Sequence, residues 1–110
     1  MNIDELTVKE IKHIKSLLKG GDKVDSPYKT GKSYFFRTVT QFITGRVERV
    51  TPKEIILSDA AWIADTGRFS DALKTGKLNE VEPFPGEIIL GRGAIVDCCE
   101  WLHPLPREQK

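Results

Sequence analysis

The chain has 110 residues, 39% of them hydrophobic and 30% charged, with a formal net charge of +1. That describes one globular domain with a single modest core, and so even a charge balance excludes binding to DNA or a membrane surface through a bulk basic field. No apolar run approaches the roughly 20 residues of a membrane span, and acid at Asp4 and Glu5 stands where a secretory leader carries positive charge, so the cytoplasm is the expected location.

Residues 7–19 are predicted to form a helix. Thr7 and Glu10 make a capping box, and Leu6 and Ile11 sit where a hydrophobic staple places them. Ile11, Ile14, Leu17 and Leu18 share one stripe, lysines occupy the other faces, and Gly20-Gly21 stop the element. Such a narrow stripe on a short helix must pack on a sheet or on another subunit to be stable. Residues 20–33 mix Gly, Pro, Ser and charge without periodicity and read as a linker or mobile arm. Gly31-Lys32-Ser33 is not a phosphate loop: Ser26 stands where that motif has its first glycine, and a strand follows where one should precede.

Tyr34 to Ile43 is the first predicted strand, with a bend or bulge at Thr44-Gly45. Arg46–Val50 and Glu54–Ser58 form a hairpin across Thr51-Pro52-Lys53, one face wet and the other buried. Residues 59–85 read as an insertion. Within it Ser70–Lys74 make one or two helical turns, with Ser70 as a cap and Gly76 beyond, while Pro83 and Pro85 exclude a central strand. Strand resumes at Glu87–Leu90, Gly91-Arg92-Gly93 turns, Ala94–Trp101 is the last strand, and 102–110 is an extended tail. The expected fold is mainly β (α+β): a capped amino-terminal helix, then a small, strongly bent five-stranded SH3/Sm-like barrel over 34–101, with the insertion between strands three and four, all in a single domain over 1–110.

The chemistry points to binding and not to an enzyme. Cys98 and Cys99 are neighbours on a strand, so they face opposite ways and stay reduced. His13 and His103 lie in no nucleophile–base pair, and no ligand set is spaced for a metal; no cofactor is implied. By contrast Trp62, Asp65, Arg68 and Phe69 fall within eight residues around Gly67. Trp62 and Phe69 are candidates to stack a base, Arg68 to take a phosphate, and Asp65 to hold a ribose hydroxyl or orient Arg68. Arg92 with Gly93 is a second cationic corner with bare backbone, and Asp97 is placed either to orient Arg92 or to face water. Beside these stand plainer readings: Trp62 in the core, Phe69 stapling the insertion, Arg68 paired with Asp65 or Asp71, and Arg46 and Arg49 on a solvated face.

The order R-T-V-T…T-G-R-V…D-A-A-W-I-A-D-T-G-R-F…V-E-P-F-P-G…G-R-G-A-I-V-D, from Arg37 to the carboxyl end, resembles a family of short phage and prophage proteins. Proteins of that size and make-up are similar to anti-defence "sponges", oligomers that sequester cyclic nucleotide signals. The resemblance therefore implies a phage-encoded, self-associating protein that holds a small nucleotide and does not turn it over. The layout also resembles Sm-like RNA-binding rings, and Ile88–Val96 looks like their second motif with Arg92-Gly93 in register. Gly45 matches their first motif, but Glu54 or Ile55 occupies the place of the uracil-contacting asparagine. This second resemblance implies RNA as an alternative ligand. A third reading is a structural or partner-binding module without any nucleotide.

Overall fold

A computed structural model describes residues 26–110. The helix expected over 7–19, and the linker before Ser26, lie outside the described residues. Six strands form one antiparallel sheet: β1 (Ser33–Thr38), β2 (Phe42–Val50), β3 (Glu54–Asp65), β4 (Glu80–Pro83), β5 (Ile88–Gly91) and β6 (Ile95–Glu100). A seven-residue helix, α1 (Phe69–Thr75), follows β3, and one 3-10 turn (Arg92–Ala94) joins β5 to β6. The order across the sheet is β4-β3-β2-β1-β6, with β5 also on β3. No helix among the described residues is long and apolar enough to cross a membrane.

The aromatic run on β1 sets the layout, because a strand sends neighbouring side chains to opposite faces. Tyr34 and Phe36 enter one apolar cluster with Ile43, Val47, Ile55, Leu57, Ala60 and Leu90. Phe35 enters a second, with Ala61, Ile63, Ala72, Leu78, Val81 and Trp101. The sheet is thus buried on both faces at β1, where full burial of each phenylalanine contributes roughly 1.5–3 kcal/mol. Tyr34 pairs across the ladder with Gly45. A Cβ on Gly45 would come within 3.1–3.3 Å of Leu57 and Ala60 side-chain atoms, so the bare backbone lets β2 and β3 close up.

β3 carries both halves of the molecule. Its first part, Glu54–Leu57, pairs with β5, and its second, Ala61–Asp65, pairs with β4 along the same edge. Between them Asp59 has φ 47, and the register against β2 slips by one residue as Thr44 pairs with Ala61 and Arg46 with Ser58. Leu57 and Ala60, three apart, therefore both reach the first cluster; a bulge has reset the alternation. Arg46 and Arg107 both hold the Asp59 carboxylate, Arg107 at 3.1 Å. Arg46 also contacts Glu48, so it belongs to an ionic cluster and not simply to a solvated face.

Several expectations need correction. The strand expected over Tyr34–Ile43 is two strands. A turn at Val39–Gln41 separates them, built by the Thr38 hydroxyl, which donates to the Gln41 carbonyl and accepts from the amides of Thr40 and Gln41. Part of the expected insertion is strand, because β3 runs on to Asp65, and a sixth strand appears at Glu80–Pro83. Its proline is tolerated because β4 lies outermost. Ser70 is inside α1 and not its cap: Arg68 occupies that position with no side-chain cap bond, while Gly76 ends the helix in left-handed conformation as expected. The end of the expected linker is packed: Ser26 is buried, and Tyr28 lies against Tyr34 and Phe36.

The tail is also more than an extended end. Trp101 stacks on Phe35 at 5.8 Å and its amide bonds the Ser33 carbonyl. His103 sits edge-on to Trp101 and hydrogen-bonds the Leu73 carbonyl at 2.7 Å, tying the tail to α1. Lys110 and Val81 then exchange two main-chain hydrogen bonds of 3.0 Å.

Candidate functional site

Near the far end of β3, Trp62 pairs with Ile43 on β2, a member of the first cluster, and with Glu82 on β4. Residues opposite each other in a ladder share a face, so Trp62 continues the line of Ile43 but runs out beyond the packed cluster. Its side chain is left 42% exposed. It lines a groove of about 340 Å³ with Ile63 and Ala64 on one side and the whole Arg37–Phe42 turn on the other. The groove is bordered by Trp62 and Phe42 and by polar side chains at Thr38, Thr40 and Gln41; Arg37 also borders it, but its ladder partners Phe42 and Asp97 place its side chain on the face opposite Trp62. Thr38 is rigid through its hydrogen bonds within the turn. Val39, 73% exposed, stands at the rim.

Arg37 reaches sideways across the sheet. Its Nε donates to Asp97 Oδ1 at 3.0 Å and its Nη2 donates to Oδ2 of the same carboxylate. This hydrogen-bonded pair raises the guanidinium pKa further. Asp97 therefore orients Arg37 and not Arg92. Asp97 in turn borders a second hollow of about 260 Å³, on the other side of the pair, with Phe35, Phe69, Leu73, Cys98 and Cys99. Burial pushes both thiols up from their ordinary pKa, so they are protonated near neutral pH.

The sequence-predicted residues separate. Phe69 rests on Phe35 at 5.7 Å and near Phe42 at 6.3 Å. Phe42 pairs with Ile63, the neighbour of Trp62, so Phe69 packs on the face opposite to Trp62 and the two rings do not form one clamp. Phe69 staples α1 to the sheet while remaining 44% exposed. Asp65 accepts the Gly67 amide at 2.8 Å, shaping the loop where Gly67 has φ 68. Arg68 is exposed, and no ion pair joins it to Asp65 or Asp71 among the described residues.

Arg92 is elsewhere. Gly91 pairs with Glu54 at the start of β3, the opposite end from Trp62. The Arg92 guanidinium donates to the Thr51 carbonyl at 2.9 Å and lies 5.4 Å from the Tyr28 ring centre. It pins the 3-10 turn to the β2–β3 hairpin and to the segment around Tyr28. Gly93 is exposed and joins no cluster with Trp62.

What the sequence missed is Arg37 and the turn beside it. Arg37 and Asp97 are 60 positions apart, and only the β1–β6 ladder, which sets Arg37 opposite Asp97, makes them partners. No group of three or more His, Cys, Asp or Glu among the described residues is placed to hold a metal ion. No protein-family model matches the chain, and neither a curated protein nor a solved structure matches it.

Proposed function

We propose that this protein is a non-enzymatic binding module for a nucleotide, and that the base lies against Trp62 in the groove beside the β1–β2 turn. The observation that carries the reading is the half-exposed indole in a groove otherwise built from a fixed, hydroxyl- and amide-bearing turn. Large aromatics in a small domain are ordinarily buried, as Trp101 is. An indole left open beside polar groups is suited to stack a base, a contact worth about 1–3 kcal/mol. Thr40 and Gln41 supply donors and acceptors for the base edge. Arg92 and Gly93 have no part in this site, Asp65 and Phe69 serve its framework, and Arg68 adds only long-range attraction from the neighbouring loop.

The finer fold belongs to the same reading. β1, β2, β3, β5 and β6, with the break at Asp59 and the 3-10 turn between the last two, follow the path of a small bent barrel on which β4, α1 and the tail are outer additions. Ile89 and Val96 are exposed on β5 and β6. Each of these strands pairs with one neighbour among the described residues, a geometry suited to homo-oligomers. The phage-protein resemblance supplies the setting, an anti-defence protein that holds an immune signal nucleotide. An Sm-like RNA reading is favoured by one observation, the β5–turn–β6 unit formed by Ile88–Val96.

Trp101 is buried, so quenching of tryptophan fluorescence by added adenosine or AMP reports Trp62. Wild-type protein should quench and saturate, and Trp62→Ala should weaken adenosine binding, measured by calorimetry, by about 5- to 150-fold. Undiminished affinity in that variant would sink the site. Tighter binding of oligoribonucleotides, falling steeply with salt, would instead favour the RNA reading.

A further inference from the structure

We propose that this site selects a base that carries a positive charge, such as a purine alkylated on a ring nitrogen, over the neutral base of the same shape. The inference rests on the reading that Trp62 stacks a base. Glu82 stands directly opposite Trp62 in the β3–β4 ladder, and residues so placed share a face. Val81, between Glu80 and Glu82, pairs with Ile63 and is buried with it in the second cluster, so both carboxylates project to the Trp62 side. Both glutamates are exposed, and neither forms an ion pair among the described residues. Gln109 donates to Glu82 Oε1 at 3.2 Å, which steadies that carboxylate and leaves its charge uncompensated.

The cations of the neighbouring segments are turned away or already engaged. Arg37 lies on the opposite face with Asp97. Lys110 stands opposite Val81 across their two main-chain bonds and shares its side of β4, away from Glu82. Arg107 holds Asp59. Arg68 leads into α1, whose Phe69 packs on the opposite face. A flat cation therefore gains twice. Over the electron-rich face of an exposed indole it is held about two- to fivefold more tightly than a neutral ring. Each carboxylate, at roughly 7–9 Å in a solvated setting, adds about two- to threefold, and less as salt screens it. The indole gives the stacked ring its place, and the carboxylates set which ring is preferred.

The test compares 7-methylguanosine, a cation, with 7-methyl-7-deazaguanosine, which has the same methyl group and no charge. Calorimetry on the full chain in dilute buffer at about pH 6 keeps the carboxylates ionised. Wild-type protein should bind the cation about 5- to 30-fold more tightly than the neutral compound. Glu82→Gln should lower that ratio by about two- to threefold, and Glu80→Gln by about as much, while the neutral compound keeps its affinity. Trp62→Ala should weaken both compounds. Both glutamates are at the surface, so their variants should fold. If the two compounds bind equally, or if the double variant of Glu80→Gln and Glu82→Gln keeps the full ratio, this inference fails and the stacking site stands. If neither compound binds, the nucleotide reading itself fails.

Discussion

Replacing Gly76 by alanine tests how firmly the tail is locked to α1. Gly76 closes the helix at φ 77 and ψ 6, and a Cβ there would stand 2.7 Å from Cγ and 2.8 Å from Cβ of His103. Left-handed backbone costs an L-residue about 1–2 kcal/mol. The collision also drives the imidazole off the Leu73 carbonyl, about 0.5–1.5 kcal/mol, and off the Trp101 ring, about 0.5–1.5 kcal/mol more. Gly76→Ala should therefore lose about 2–5 kcal/mol, whereas His103→Ala loses only the last two contributions, about 1–3 kcal/mol. In the double variant the ring is gone and only the close approach of the two Cβ atoms, 2.8 Å before any shift, remains, so it should be about as stable as Gly76→Ala alone. Urea unfolding followed by tryptophan fluorescence measures all four proteins. Losses that add to within about 0.5 kcal/mol would refute the coupling, because independent sites behave that way.

Two further predictions concern buried and charged polar groups. Thr44 is fully buried and its hydroxyl has no hydrogen-bond partner, so Thr44→Val should raise stability by about 1 kcal/mol; a loss in urea unfolding would mean that the hydroxyl has a partner after all. Ser58 and Arg46 hydrogen-bond the Glu48 carboxylate and hold its pKa below the ordinary 4.5. A lowered folded-state value gives stability that is present above 4.5 and lost as pH falls through the folded value. The unfolding midpoint should accordingly drop in acid below 4.5, and Glu48→Gln should flatten part of that slope; an unaltered slope would contradict it.

The strands that were legible in the sequence are those with one clear apolar alternation, such as Arg46–Val50 and Glu54–Leu57. The turn at Val39–Gln41 was hidden because it has no Gly, Pro, Asn or Asp; a threonine hydroxyl closes it instead. The second half of β3 was hidden because the extra residue at Asp59 shifts the alternation, and because α1 and the tail bury the face that would otherwise be polar. The exposed indole was the legible part of the site. Trp62 stood out by type, but its exposure opposite a buried Ile43 depends on where β1 and β2 end. The Arg37–Asp97 pair needed the ladder, and the separation of Arg92 from Trp62 needed the length of β3. Nearness in sequence united Trp62 and Phe69; alternation along the strands put them on opposite faces.

The paired bonds between Lys110 and Val81 bear on solubility. An outermost strand offers main-chain donors and acceptors to any extended segment that drifts past, and unfolded or foreign chains aggregate on such templates. At Val81 that offer is withdrawn, because the protein's own backbone already occupies both groups. Glu80 and Glu82 on either side, with Gln109 bonded to Glu82, surround the closed position with charge and side-chain contacts. The sheet margin nearest the groove is thereby kept from acting as a nucleus for fibrous growth, and the residues that do so come from the last stretch of the chain.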